Sequence, residues 1–481
     1  MIRNRRFLSL GLSLAVTAAA TMTAVAGTGT PAQAAPVTIT NGTQFRDTSG
    51  NLLQAHGGGM LKVGDHYYWF GENRNPDNTF RAVSVYRSTN LRDWEFRGNV
   101  LTQSSASELQ VANIERPKVV YNASTGRYVM WMHKENGSDY GEARAAVASS
   151  ATVDGNYTYH GSFRPLGQHM SRDITLYNDN GTAYMISAAD ENYDLHIYRL
   201  TADFLNISTL VGNFWNDAHR EAPAMFKRGS TYFLLTSAAT GWNPNQARYA
   251  TASSISGPWT GWTNVGDSTT FRSQPTFVLP IQGSSTTSYL YLGDRWAGAW
   301  NGPVNDSQYV WLPITFPSTS MSLNWYPSIT IDAATGTITG QAPPYHRITA
   351  RHSGRVVDVV GNSTANNAEV KQYAWNGGGN QKWEFQDAGS GYVRIVNQNS
   401  GKCLDVASAS TADSANVIQY TCGGGTNQQW QWVATGSYFQ LRARHSGKCL
   451  DVVSGGTADG TDIAQYACGS GTNQQWTRTQ V

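Results

Sequence analysis

Val63-Gly64-Asp65-His66-Tyr67-Tyr68-Trp69-Phe70 reads as a tight turn followed by an aromatic, apolar strand. The chain repeats that phrase four more times, at Tyr128-Val129-Met130-Trp131, Tyr184-Met185-Ile186, Tyr232-Phe233-Leu234-Leu235 and Tyr289-Leu290-Tyr291-Leu292. Aromatic and β-branched runs after a Gly-containing turn are strands of a hairpin. One strand earlier each copy carries a polar residue: His56, Glu115, Asp173, Glu221 and Gln274. A spacing of roughly 50–60 residues suits a four-stranded blade with its loops. The pattern predicts an all-β protein that begins with a five-bladed β-propeller over residues 35–340. In such a ring the five polar positions converge on one axis.

The chain has 481 residues, enough for two substantial cores. A formal net charge of +2 gives no electrostatic case for nucleic acid as a partner. The N-terminus has the marks of an export signal over residues 1–34. Arg3, Arg5 and Arg6 precede an apolar, Ala-rich stretch that ends in Ala32-Gln33-Ala34. Arg5-Arg6-Phe7-Leu8 is also compatible with twin-arginine export. No second apolar run is long enough to span a bilayer, so a secreted monomer with no membrane partner is expected.

All four cysteines fall in the last quarter, and Cys403–Cys422 and Cys449–Cys468 are both 19 positions apart. In an exported chain this spacing reads as two disulfides. A zinc site is the competing reading, but four-cysteine zinc sites usually carry closer pairs.

That region is a threefold repeat ending in Gln381-Lys382-Trp383, Gln428-Gln429-Trp430 and Gln474-Gln475-Trp476, with the Trp residues 47 and 46 positions apart. Each unit is too small to bury a core alone, so the three should pack around a pseudo-threefold axis. Residues 346–481 resemble the ricin-type β-trefoil lectins, the family 13 carbohydrate-binding modules. The resemblance implies one sugar site per lobe, each with a carboxylate, an aromatic platform and an amide pair. These are Asp358, Tyr373, Asn380 and Gln381; Asp405, Tyr420, Asn427 and Gln428; and Asp451, Tyr466, Asn473 and Gln474. Each Gln has a second reading, as the amide that holds its lobe's turn together.

In the ring, three of the five polar positions are carboxylates: Glu115, Asp173 and Glu221. Buried acids are costly unless paired or working. Clustered acids raise one another's pKa, which keeps one protonated as a proton donor. Arg116, Arg172 and Arg220 adjoin them, but strand neighbours point to opposite faces, so these are poor partners for their own neighbours.

Arg220-Glu221-Ala222-Pro223, Ser171-Arg172-Asp173 and the Val63–Tyr68 turn resemble glycoside hydrolase family 43. The resemblance implies inverting hydrolysis of a glycosidic bond, with Glu221 as general acid and Asp173 tuning its pKa. The family's usual Asp base is missing: Gln54-Ala55-His56-Gly57-Gly58-Gly59-Met60 stands in its place. That phrase, with Gly71-Glu72-Asn73 and Glu115-Arg116-Pro117, resembles the exo-β-1,3-galactanase branch. There a Gln replaces the base, and the matching residue is Gln274, acting as an imidic acid or positioning water. The polymer partner implied is β-1,3-galactan or arabinogalactan. Glu115, Glu72, Tyr140, Thr240, Trp242 and Asn243 are expected to hold substrate, and Trp296 and Trp300 to line the pocket mouth. The Gly57–Gly59 run is read as room for a sugar, or as a plain bulge. No cofactor or metal is needed for this chemistry. Alternatives are an α-L-arabinofuranosidase or β-xylosidase, and a catalytically silent lectin.

Overall fold

The computed structural model describes Met1 and residues 35–481. The export segment expected over residues 1–34 otherwise lies outside the described residues.

Residues 56–323 form five four-stranded antiparallel sheets. The first contains His56–Val63, His66–Arg74, Phe80–Ser88 and Glu95–Thr102, paired in chain order. The other four open with Asn113–Asn122, Ile174–Asp179, Arg220–Arg228 and Gln274–Gln282. These opening strands touch one another in cyclic order, and the fifth returns to the first. Val37–Thr40 pairs with Ser328–Asp332, which ties the start of the ring to the segment after its last sheet.

Aromatic residues of the repeated phrase and of neighbouring strands fill the wedges between sheets. Trp69, Trp94, Tyr309 and Trp311 are at most 2% exposed and pack in one cluster. Each such ring removes about 200 Å² from water. At 25 cal/mol/Å² that is on the order of 5 kcal/mol per ring, an upper figure.

The opening strands share a device that positions the site. Register slips just past His56, Glu115, Glu221 and Pro275, where a bulge inserts an extra residue. Gly57, Arg116 and Ala222, each next after its polar residue, are left-handed with φ of +64°, +53° and +55°. A bulge of this kind re-aims side chains and breaks strand alternation. The Gly57–Gly59 space is filled by protein, not left for sugar. A Cβ on Gly57 would lie 2.0 Å from Glu72 Oε1, and one on Gly58 would lie 1.6 Å from the Phe70 carbonyl oxygen.

Residues 346–480 form a twelve-stranded trefoil sheet around Trp383, Trp430 and Trp476, all fully buried. Each indole donates to a carbonyl in its own lobe: Val357, Leu404 and Leu450, at 3.0, 3.0 and 3.1 Å. Both expected disulfides are formed, Cys403–Cys422 and Cys449–Cys468. In the lobe without one, Val356 stands opposite Tyr373, as Cys403 stands opposite Tyr420. No helix among the described residues is long and apolar enough to cross a membrane.

Candidate active site

The five polar residues meet at one end of the ring, but with unequal surroundings. Glu221 is 8% exposed; its Oε1 accepts from Gln274 Nε2 at 2.8 Å and its Oε2 from Asn192 Nδ2 at 3.1 Å. Burial and the neighbouring Asp173 carboxylate push its carboxyl up to about 8, against the pull of Arg116. It therefore holds a proton at neutral pH, the state a general acid needs.

Asp173 Oδ2 faces Arg116 Nε at 2.9 Å and accepts from the Ala222 amide at 3.0 Å. Glu115 Oε1 accepts from Arg74 Nη2 at 2.9 Å and from the Tyr140 hydroxyl at 2.7 Å, while Oε2 faces His133 Nδ1 at 3.2 Å. Burial alone would raise the Glu115 carboxyl, but Arg74 and His133 outweigh it and hold it well below the usual range. His133 is likewise buried, yet Glu115 and Glu135 lift it to about 9, so it is a cation at neutral pH. The site therefore has one protonated acid and one firmly ionised carboxylate, set apart by environment.

Glu115, His133 and Asp173 each bring a potential ligand atom within 4.8 Å of the others. That donor set does not fit a metal. His133 is held protonated, and Arg74 and Arg116 already neutralise the two carboxylates.

Gln274 is 9% exposed and its amide is fully used. Oε1 accepts from Arg116 Nη2 at 2.5 Å and Trp296 Nε1 at 2.7 Å; Nε2 donates to Glu221 and to Ser237 Oγ at 3.0 Å. A cavity of about 100 Å³ opens against this amide, lined by Trp242, Asn243, Trp296 and Trp300 among others. Trp242 and Trp300 present 38% and 42% of their surface to solvent, whereas Trp296 is buried beneath the cavity. Tyr140 reaches the site through Glu115, as its loop position suggested.

Several expectations are corrected. Glu72 is 3% exposed and accepts from Arg74 and from the Arg116 amide, so it braces the bulge and is closed to substrate. Thr240 donates to the Asn243 carbonyl at 2.6 Å and accepts from Asn245 at 2.6 Å, so its hydroxyl holds a turn. His56, beside the missing base, is 1% exposed, bonded to Asp294 at 3.0 Å and stacked on Tyr309. Arg116 indeed leaves its neighbour Glu115 alone. The bulge turns it onto Asp173 and Gln274 instead, against simple alternation.

Arg74, His133, Asn192, Ser237 and Asp294 were not foreseen. Three of them stand directly across from the first set: His133 from Glu115, Ser237 from Glu221 and Asp294 from Gln274. Reading the second strand in register with the first would have found them.

In the trefoil, Gln381, Gln428 and Gln474 are at most 5% exposed. Each Nε2 donates to its lobe's Asp (Asp358, Asp405, Asp451) at 2.7–2.8 Å and to a nearby carbonyl. Each Oε1 accepts a backbone amide. These three glutamines brace the lobes and have no group left for sugar. Asn427 and Asn473 donate to Asp405 and Asp451, while Asn380 donates to the Val359 carbonyl. Tyr420 and Tyr466 are 41% and 45% exposed, and Tyr373 is half-buried.

The family model for glycosyl hydrolases family 43 matches residues 56–278, and that for the ricin-type beta-trefoil lectin domain-like family matches residues 333–420 and 426–481. The chain is 51% identical to an exo-β-1,3-galactanase from Clostridium thermocellum, covering 92% of this chain and 100% of that one with a TM-score of 0.68. A Glu-to-Gln variant of an exo-β-1,3-galactanase from Phanerochaete chrysosporium, solved with β-1,3-galactotriose, is 29% identical. That match covers 82% of this chain and 91% of that one, with a TM-score of 0.63. A family 43 β-1,3-galactosidase with galactodeoxynojirimycin is 32% identical over 60% of this chain and 99% of that one, with a TM-score of 0.56. With an inner ring whose protonated Glu221 is bonded through Gln274 to an aromatic-lined cavity, and 51% identity over 92% of its length, the chain belongs to glycoside hydrolase family 43.

Proposed function

We propose that the chain is an exported exo-β-1,3-galactanase that releases galactose from the β-1,3-galactan backbone of arabinogalactan with inversion. The observation that carries this is the buried, protonated Glu221, bonded through Gln274 to a cavity with Trp walls. Indole faces stack on the C–H faces of sugars, and a pocket walled by them suits a sugar at a chain end. The five sheets are the five blades of a propeller spanning residues 35–340, and the lectin spans residues 346–481.

Glu221 gives its proton to the departing glycosidic oxygen as the C1–O bond breaks. Water adds to C1 from the other face and loses a proton. Asp173 keeps Glu221 protonated until that step, and ionised Glu115, with Tyr140, takes hydroxyls of the galactose. In the trefoil, Asp405 and Asp451 with their Asn partners, and Asp358 in the first lobe, hold sugar hydroxyls, and Tyr420 and Tyr466 supply platforms. Several weak sites on one polymer gain by effective concentration.

The test is incubation with β-1,3-galactan, arabinan and xylan, with products separated by chromatography and the first-formed anomer read by NMR. Galactose from galactan alone supports the reading. Pentose from arabinan or xylan replaces it with another specificity, and no product from any polymer leaves only a lectin.

A further inference from the structure

The amide of Gln274 stands between two donors and two acceptors, and that arrangement bears on what it does. Arg116 and Trp296 are donors only; neither a guanidinium nor an indole N–H can accept. Both point at Oε1. An imidic acid would carry an O–H on that oxygen and present it to two donors with nowhere to go. Turning the amide over places its NH₂ against the same two donors, so its orientation follows from the network. The other end touches the acid itself, through the bond from Nε2 to Glu221 Oε1. In an inverting site a general base stands about 6.5–9.5 Å from the acid, to leave room for water. Gln274 leaves no such gap.

We propose that Gln274 works as an ordinary amide that positions Glu221, and takes no proton from water. Its N–H holds Oε1 as the carbonyl oxygen of the carboxylic acid, which leaves the proton on Oε2. The Arg116–Trp296 pair holds the amide, and Ser237 takes its second hydrogen. Asp173 keeps an oxygen, Oδ1, that no protein group donates to, while its Oδ2 faces Arg116 and accepts from the Ala222 amide; Oδ1 is the oxygen open to the attacking water's proton. The groups facing Glu221 are Asp173, Arg116, Glu115, Asn192 and Gln274. This inference rests on the glycosidase reading above and refines the division of labour within it.

The test compares Gln274→Ala and Gln274→Glu with the unmodified protein on β-1,3-galactan and on a dinitrophenyl β-galactoside, whose leaving group needs no proton. Galactose release by the unmodified protein checks the functional reading separately. Gln274→Ala should lose about 100-fold on galactan, within the range for a general-acid contribution, yet less than about fivefold on the aryl substrate. Its alkaline limb in kcat/KM should move to higher pH, because the lost N–H bond favoured the ionised carboxyl. Azide should not restore turnover. Gln274→Glu, which keeps the volume if the alanine variant folds poorly, should lose at least as much on galactan. Equal loss on both substrates, galactosyl azide formation by Gln274→Ala, or a Gln274→Glu protein as fast as the original would each overturn the assignment and make Gln274 the base.

Discussion

The ring and the trefoil are both built by repetition, but they treat their equivalent positions in opposite ways. In the trefoil the repeated Asp, Gln and Trp are kept in all three lobes and make the same bonds each time. In the ring the equivalent position is His, Glu, Asp, Glu and Gln in turn, each with different partners. Kept repetition holds the fold. Broken repetition makes chemistry, because a reaction needs an acid, an ionised carboxylate and a neutral amide in one place, and symmetry cannot supply them.

The sharpest way to break the comparison is to level the ring. Glu221→Gln keeps the volume and removes the transferable proton, so turnover of galactan should fall at least 1000-fold with folding unchanged. Near-normal rates would remove Glu221 from the acid role. Levelling the trefoil should act on stability instead. Trp430→Ala removes a fully buried indole and its bond to Leu404, and should cost about 3–5 kcal/mol, measured by chemical denaturation. Unchanged stability would mean that the repeated Trp is dispensable. Replacing Cys403 and Cys422 together by Ala should cost about 2–4 kcal/mol of the same transition, and reduction with dithiothreitol should reproduce it. The smallest effects belong to exposed platforms. Tyr420→Ala and Tyr466→Ala should each weaken retention on galactan by only a few-fold while leaving small-substrate kinetics alone.

A pH profile sharpens the same contrast. The folded-state pKa of Glu221 is raised to about 8, so the proton-bearing form is present below that value and lost above it. Thus kcat/KM on galactan should hold toward neutral pH and fall through an alkaline limb near 8. A limb that persists unchanged in Glu221→Gln residual activity would belong to another group.

The fold and half of the site were legible because they rest on local, repeated signals. Tyr67, Tyr128 and their equivalents mark strands by composition, and the polar residue one strand earlier marks the axis. The partners were harder. His133 and Asp294 lie on second strands, and their meaning depends on register across a bulge that composition does not announce. Arg116 was read by alternation, which the left-handed turn at that residue cancels. Glu72 looked like a substrate ligand because nothing local says that Arg74, two positions on, will seal it in. The trefoil glutamines had two open readings in sequence, and only the bonding of every N–H and oxygen decides between them.

The bulge that follows His56, Glu115, Glu221 and Gln274 acts as a swivel mount. It fixes where a side chain points independently of the pleat that packs the rest of the strand. A family built on such mounts can exchange the residue at the axis, from acid to amide to imidazole, without repacking the wedge behind it. Variation of catalytic machinery should therefore concentrate at these four addresses while the aromatic strands around them stay constant. They are also the addresses at which a designer could install a different reaction in this scaffold.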